Sequence, residues 1–119
     1  MSSMTKAQWQ ERLALYDILI DQCPRFERKG KTMPYTSANG YMFSLLNKAG
    51  EIGIRFSKEV QETYFKTMET GPYTSYGATM QGYVLIPEVL LKDKVRIAQL
   101  LDESYDYFMS LEPNTHKKK

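Results

Sequence analysis

Along the first twenty residues apolar side chains recur at helical spacing: Trp9, Leu13, Tyr16 and Ile20 fall on one face of an α-helix. Leu15, Ile18 and Leu19 widen the stripe, and Thr5 is placed to cap its start. Pro24 ends it, because the residue before a proline is pushed out of the α region. The pattern then changes period. Residues 41–46 alternate, with Tyr41, Phe43 and Leu45 on one face and Met42, Ser44 and Leu46 on the other. Asn47, Lys48, Ala49 and Gly50 form a turn, and residues 51–56 alternate again, Ile52, Ile54 and Phe56 against Glu51 and Arg55. Two alternating runs joined by a short Asn/Gly turn predict a β-hairpin.

Residues 26–33, with Arg28, Lys29 and Lys31, read as a charged edge strand, since charge on an edge discourages strand-on-strand association. Residues 34–40 carry turn chemistry. Ser57 caps a second helix with Val60, Tyr64 or Phe65, and Met68 on its buried side, and Gly71 and Pro72 stop it. A loop rich in Tyr, Thr, Ser and Gly is expected up to Gly82, then a short apolar strand over 83–86 closed by Pro87. Asp93 caps a last helix, lined on one side by Val95, Ile97, Leu100, Leu101, Tyr105, Phe108 and Leu111. The predicted fold class is α+β in two layers, an antiparallel sheet of about five strands with helices packed on it, in the order α-β-β-β-α-β-β-α. One domain is expected over residues 1–113, followed by a flexible Lys-rich tail, 114–119.

A short internal repeat stands out. Pro34-Tyr35-Thr36-Ser37 recurs as Pro72-Tyr73-Thr74-Ser75, and Gly40-Tyr41-Met42 is echoed by Gly82-Tyr83-Val84. It reads either as turn-formers that happen to concentrate before strands, or as two equivalent loops at the same edge of the sheet, which would frame a ligand cleft.

Composition narrows the chemistry. The 119 residues, 42% apolar and 25% charged, suit one ordinary globular domain. The net charge of +2 comes from the tail: without Lys117, Lys118 and Lys119, 13 basic residues face 14 acidic ones. One Cys and one His leave no internal disulfide and too few of the usual zinc ligands. The only histidine, His116, lies in the Lys-rich tail, where it is not preorganised as a base. Neither G-x-x-x-x-G-K-[ST] nor G-x-G-x-x-G is present. Asp102, Glu103 and Asp106, like Glu59 and Glu62, read as solvated helix faces. Cys23, at a helix end, reads as a small buried apolar residue. No enzymatic activity and no cofactor are expected. No stretch approaches the ~20 apolar residues that span a bilayer, and residues 1–10 show no signal-peptide pattern. A cytoplasmic protein away from the membrane is the expectation.

Arg25, Arg28, Lys29 and Lys31, interleaved with Phe26 and Tyr35 and interrupted by Glu27, are the one basic run in the body. Such a run suits phosphates and stacked bases, but also a solubilising edge. With the loop after it, the run gives the candidate interaction surface: Arg28, Lys29, Lys31, Met33, Tyr35 and Asn39.

Two segments resemble the N-terminal domain of the TfoX (Sxy) competence regulators. Gly40-Tyr41-Met42-Phe43-Ser44-Leu45, followed by Ile52-Gly53-Ile54-Arg55, is similar to that family's Gly-x-Met-Phe strand, turn and alternating strand ending in a basic residue. Residues 76–88, from Tyr76-Gly77-Ala78-Thr79-Met80 to Ile86-Pro87-Glu88, resemble its Met-bearing loop and aromatic-aliphatic strand ending in Pro-Glu. The resemblance covers about residues 7–111. It departs where the family has Arg-Met-Phe-Gly-Gly and this chain reads Lys31-Thr32-Met33-Pro34-Tyr35-Thr36. It implies a sheet of about five strands with packed helices, in a stand-alone copy without the family's C-terminal helical domain, and it supplies no catalytic residue. The expected function is a non-enzymatic regulatory or binding module whose partner is a protein. The alternatives are a nucleic-acid-associated, competence-like transcriptional regulator, and a small-ligand-binding protein using the two Pro-Tyr-Thr-Ser segments. A homodimer is also expected, through an unprotected sheet edge at 83–86 or through the last helix at Tyr107, which falls off the buried stripe.

Overall fold

A computed structural model describes residues 5–75 and 77–114. Residues 115–119 of the expected tail, with His116, and Tyr76 in the second resembling segment lie outside the described residues. Three helices, α1 (Lys6–Asp21), α2 (Lys58–Thr67) and α3 (Lys94–Met109), accompany five strands: β1 (Tyr35–Ala38), β2 (Tyr41–Leu46), β3 (Ile52–Arg55), β4 (Pro72–Ser75) and β5 (Ala78–Leu85). A 3-10 turn, Glu88–Lys92, precedes α3. The element order is the predicted one, and all the pairings are antiparallel, in the spatial order β1-β2-β3-β5-β4.

The helix starts result from their local chemistry. Thr5 and Gln8 form a reciprocal capping box on α1. The Ser57 and Asp93 side chains accept from the Val60 and Arg96 amides at the starts of α2 and α3. Tyr16, Leu19 and Ile20 of α1 and Ile97, Leu100, Leu101 and Phe108 of α3 are buried in one core with Phe43, Leu46, Ile52, Ile54 and Val84 of the sheet. Two apolar positions assigned to helix stripes instead face solvent: Ile18, 47% exposed, and Val95, 64% exposed. Polar groups inside this core are paired. The Tyr16 and Thr36 hydroxyls each lie 2.6 Å from the Ser44 hydroxyl.

The strand alternation predicted for β2 is broken by a bulge. Thr36 faces Ser44, but Ser37 faces Met42, leaving Phe43 without a partner on β1. An extra residue in one strand reverses the facing of its neighbours beyond that point. Phe43, Ser44 and Leu46 therefore join the helix side, and Met42 and Leu45 join a smaller cluster with Tyr73 and Tyr83 on the other face.

The predicted edges also change. Residues 26–33 do not form a strand: Gly30, at φ +82°, starts a tight turn, and a single bridge between Lys29 and Tyr35 remains outside β1. Residues 34–40, a turn by their composition, hold β1, and the turn shrinks to Asn39-Gly40, at φ 58° and 85°. That pair of positive angles suits a two-residue hairpin. The expected loop before Gly82 contains β4 and most of β5. The stretch 83–86, expected to be an open edge, is internal: Tyr83, Val84 and Leu85 pair with β3. The two Pro-Tyr-Thr-Ser segments are β1 and β4, with Pro34 just before β1, and they form opposite edges of the sheet rather than loops at one edge. A proline that donates no N–H suits such a position.

Candidate functional site

The predicted interaction surface is dispersed by the fold. Arg28 turns inward to Asp17, with Nε 2.8 Å from one carboxylate oxygen, and this bond raises the guanidinium pKa further. Arg25 of the same basic run bridges Asp106 at 2.7 Å and Asp102 at 3.0 Å, so these carboxylates hold a cation rather than only facing water. Met33 and Tyr35 pack against the smaller cluster under the sheet. Asn39 is a strut: its amide donates to the Phe108 carbonyl at 2.9 Å and the Leu111 carbonyl at 2.8 Å. Lys29 and Asn39 border one shallow depression with Tyr105 and Met109, while Lys31 belongs to another beside Trp9. The six residues thus divide among an ion pair, a packed cluster, a strut and the borders of two depressions.

The cleft expected between the two Pro-Tyr-Thr-Ser segments is filled. The Tyr73 hydroxyl donates to the carbonyls of Leu45 at 2.9 Å and Glu51 at 3.0 Å, and its ring stacks on Tyr83 at 5.8 Å. The Asn47 amide donates to the Thr74 carbonyl at 2.8 Å, which ties β4 to the β2–β3 turn. Leu45, Tyr73 and Tyr83 are buried there, and burial pushes both phenols up. Cys23 is buried as expected, its thiol pushed up to about 11, by burial first. No group of three or more His, Cys, Asp or Glu able to hold a metal occurs among the described residues. No helix among them is long and apolar enough to cross a membrane.

What the fold builds instead is a groove of about 370 Å3 around Arg55. Its parts come from distant stretches: Arg55 to Gln61 at the β3–α2 junction, Gln81 and Gly82 on β5, Tyr41 on β2, and Tyr107, Phe108 and Leu111 at the end of α3. Three features set Arg55. The Ser104 hydroxyl donates to the Arg55 carbonyl and pins its backbone to α3. The guanidinium carbon stands 5.0 Å from the centre of the Phe108 ring. Gly82 lies against the stem: a Cβ there would sit 3.1 Å from Arg55 Cγ. Arg12, Arg25 and Arg28 each pair with a carboxylate. Half-buried Arg55 pairs with none among the described residues, and Lys58 stands beside it in the same groove. In the sequence alone Arg55 is only the polar side of a strand, and Tyr107 a dimer contact. The period of the strand carries Arg55, but nothing local announces that α3 and β5 enclose it.

No family model matches the chain, and the comparisons with curated proteins and with solved structures find no match either.

Proposed function

We propose that this protein is a non-enzymatic binding module of the TfoX N-terminal type, and that its partner is a protein segment presenting a carboxylate to Arg55. The observation that carries this reading is half-buried Arg55 in a groove with no carboxylate among its described residues. A guanidinium offers a planar fork of donors that matches a carboxylate in two parallel bonds. Gln61 and Gln81 add amide groups at the groove wall, and Tyr107, 36% exposed, adds an aromatic edge of the kind enriched at interfaces. The cytoplasmic, regulatory setting is part of the same proposal. The nucleic-acid alternative has less to rest on, because Arg25 and Arg28 of its basic run are already neutralised by Asp102, Asp106 and Asp17.

An octapeptide alternating Glu and Leu serves as the probe. Titrated into the labelled protein, it is expected to shift the amide resonances of Arg55, Lys58, Gln61, Gly82 and Tyr107, and Arg55→Gln is expected to weaken binding at least about tenfold. Shifts elsewhere, or binding indifferent to Arg55→Gln, would overturn the reading.

A homodimer through α3 is the second reading, favoured by Tyr107 and Met109, the latter 47% exposed at the helix end. The route through 83–86 is closed, because that strand is internal. Light scattering decides the stoichiometry, and Tyr107→Glu is expected to return a dimer to a mass near 13.8 kDa.

A further inference from the structure

A recess opens where the end of α2 meets the 3-10 turn and the first turn of α3. It encloses about 370 Å3 and is lined by Thr67, Met68, Pro87, Val89, Leu90 and Arg96. Met68 and Leu90 rest on the main core. Val89 is 75% exposed, so the folded chain leaves this apolar side chain in water beside an apolar recess. The border is cationic. Lys92 follows Val89 by three residues on the 3-10 turn, where side chains three apart eclipse, so it stands on the same side. It is exposed and makes no ion pair among the described residues. Arg96 lies with its guanidinium carbon 5.9 Å from the centre of the Tyr64 ring, and it too has no carboxylate partner among the described residues. The neighbouring acids are engaged: Glu88 pairs with Arg12 at 2.9 Å, and the Asp93 side chain accepts from the Arg96 amide at 3.1 Å. Glu69, the residue after Met68, is not among the lining residues.

We propose that this recess docks an α-helix of a partner protein whose apolar stripe is bordered by acidic residues. The stripe enters beside Val89 and Met68, and the carboxylates meet Lys92 and Arg96. Charge complementarity selects the acidic border. A methionine in the wall adapts to side chains of different shape. The described lining residues come from α2 and its cap, the 3-10 turn and α3, and none belongs to a strand. A partner therefore cannot extend the sheet here and must pair its own backbone groups, as a helix does. A membrane surface is broad and flat, whereas the side chains of a helix reach into a recess, which sets the protein segment above an anionic bilayer. The recess shares no described lining residue with the Arg55 groove, so the two proposals stand independently.

The probe is an acetylated and amidated peptide of Leu, Ala and Glu, roughly 18 residues long so that it holds a helix, with Leu on one stripe and Glu on both borders. Titrated into the labelled full chain, it is expected to shift the amide resonances of Met68, Val89, Leu90 and Arg96 saturably. Val89→Asp is expected to weaken binding at least about tenfold and Lys92→Glu at least about fivefold, and both positions are exposed, so the melting temperature should not change. Lys94→Glu makes the same charge change on another side of α3 from Arg96, two residues away, and is expected to alter affinity less than about twofold. Arg55→Gln is expected to leave this binding unchanged. A peptide of the same composition with its leucines scattered off the stripe is expected to bind at least about tenfold more weakly. Phosphatidylcholine vesicles with about 30% phosphatidylserine are expected to leave the four resonances unmoved. Equal binding of the scattered peptide, Lys94→Glu as costly as Lys92→Glu, no shift at the four amides, or vesicles that perturb them when the peptide does not would overturn the proposal.

Discussion

The ring of Tyr73 lies directly on the backbone of Gly53: a Cβ at residue 53 would stand 2.5 Å from two of its carbons. Real carbons do not approach so closely, so residue 53 needs the absence of a side chain. Tyr73 has nowhere to retreat. It is fully buried, and its hydroxyl is committed to the Leu45 and Glu51 carbonyls. Gly53→Ala is therefore expected to destabilise the protein by about 3 kcal/mol, at the upper end of ordinary overpacking costs. Tyr73→Phe leaves the packing and removes one hydroxyl that bonds the Leu45 and Glu51 carbonyls; the Glu51 carbonyl keeps the Asn47 amide, so the loss is about 1 kcal/mol. In the double variant the clash remains and the hydroxyl is gone, so urea midpoints of the three proteins separate packing from hydrogen bonding.

This contact explains why some of the fold is legible in the sequence and some is not. The helix starts are, because Thr5, Ser57 and Asp93 act on amides three residues away. The β2–β3 hairpin is, because its turn and alternation are adjacent in the chain. The edge strands are not. Their Tyr-Thr-Ser composition matches turn chemistry, and what makes β4 a strand is its pairing with β5, whose first half reads as loop as well, together with a tyrosine reaching across to β2 and its turn. The bulge at Phe43 is set by β1, whose own residues carry turn chemistry. The candidate surface fails for a related reason. Arg28 and Asn39 are spent on partners 11 and 69 residues away, and both grooves gather residues that only the fold brings together.

Burial fixes the direction of the pH dependence. The phenols of Tyr16, Tyr73 and Tyr83 are pushed up from their ordinary value of 10.0, chiefly by desolvation, and the Cys23 thiol is pushed up to about 11. In the folded protein these groups keep their protons; in the unfolded chain they lose them at ordinary values. The tyrosines' contribution to stability is complete below about pH 9 and falls as pH rises through 10 towards the raised folded values; that of Cys23 is complete below about pH 8 and falls as pH rises through 9.0 towards about 11. Above pH 10 each buried tyrosine costs about 1.4 kcal/mol per pH unit, so three give about 4. Urea midpoints measured at about pH 8, 9.5 and 10.5 are expected to fall slightly at first, mainly through Cys23, and then to drop steeply. Tyr83→Phe should flatten the drop by about a quarter, and an unchanged slope would show that Tyr83 does not hold its proton in the fold.

Asn39 joins the sheet to the end of α3, and this makes residue 114 part of the fold rather than of a tail. Its side chain donates to the Phe108 and Leu111 carbonyls, and its own carbonyl accepts from the Asn114 amide at 3.0 Å. The Asn114 side chain donates to the Gly40 carbonyl at 3.0 Å, and the Tyr41 hydroxyl to the Glu112 carbonyl at 2.9 Å. Four bonds thus fasten the segment after α3 to the β1–β2 turn, where the sequence pattern predicts a free tail from 114 onward. Asn39 also sits at φ 58°, which asparagine tolerates and most residues do not. Asn39→Gly keeps the backbone easy and removes the strut; Asn39→Ala removes the strut and strains the backbone as well. The glycine variant is expected to lose about 1–2 kcal/mol, chiefly from the Leu111 carbonyl, since the Phe108 carbonyl keeps the Leu111 amide, and the alanine variant about 1 kcal/mol more. Truncation after Leu111 leaves both Asn39 donor bonds in place and removes the bonds named above from Glu112 and Asn114, whose side-chain bonds are exposed, so its cost should be smaller than that of Asn39→Gly. Thermal unfolding of the three variants gives the order, and a truncation more damaging than Asn39→Gly would place the anchor at Asn114 instead.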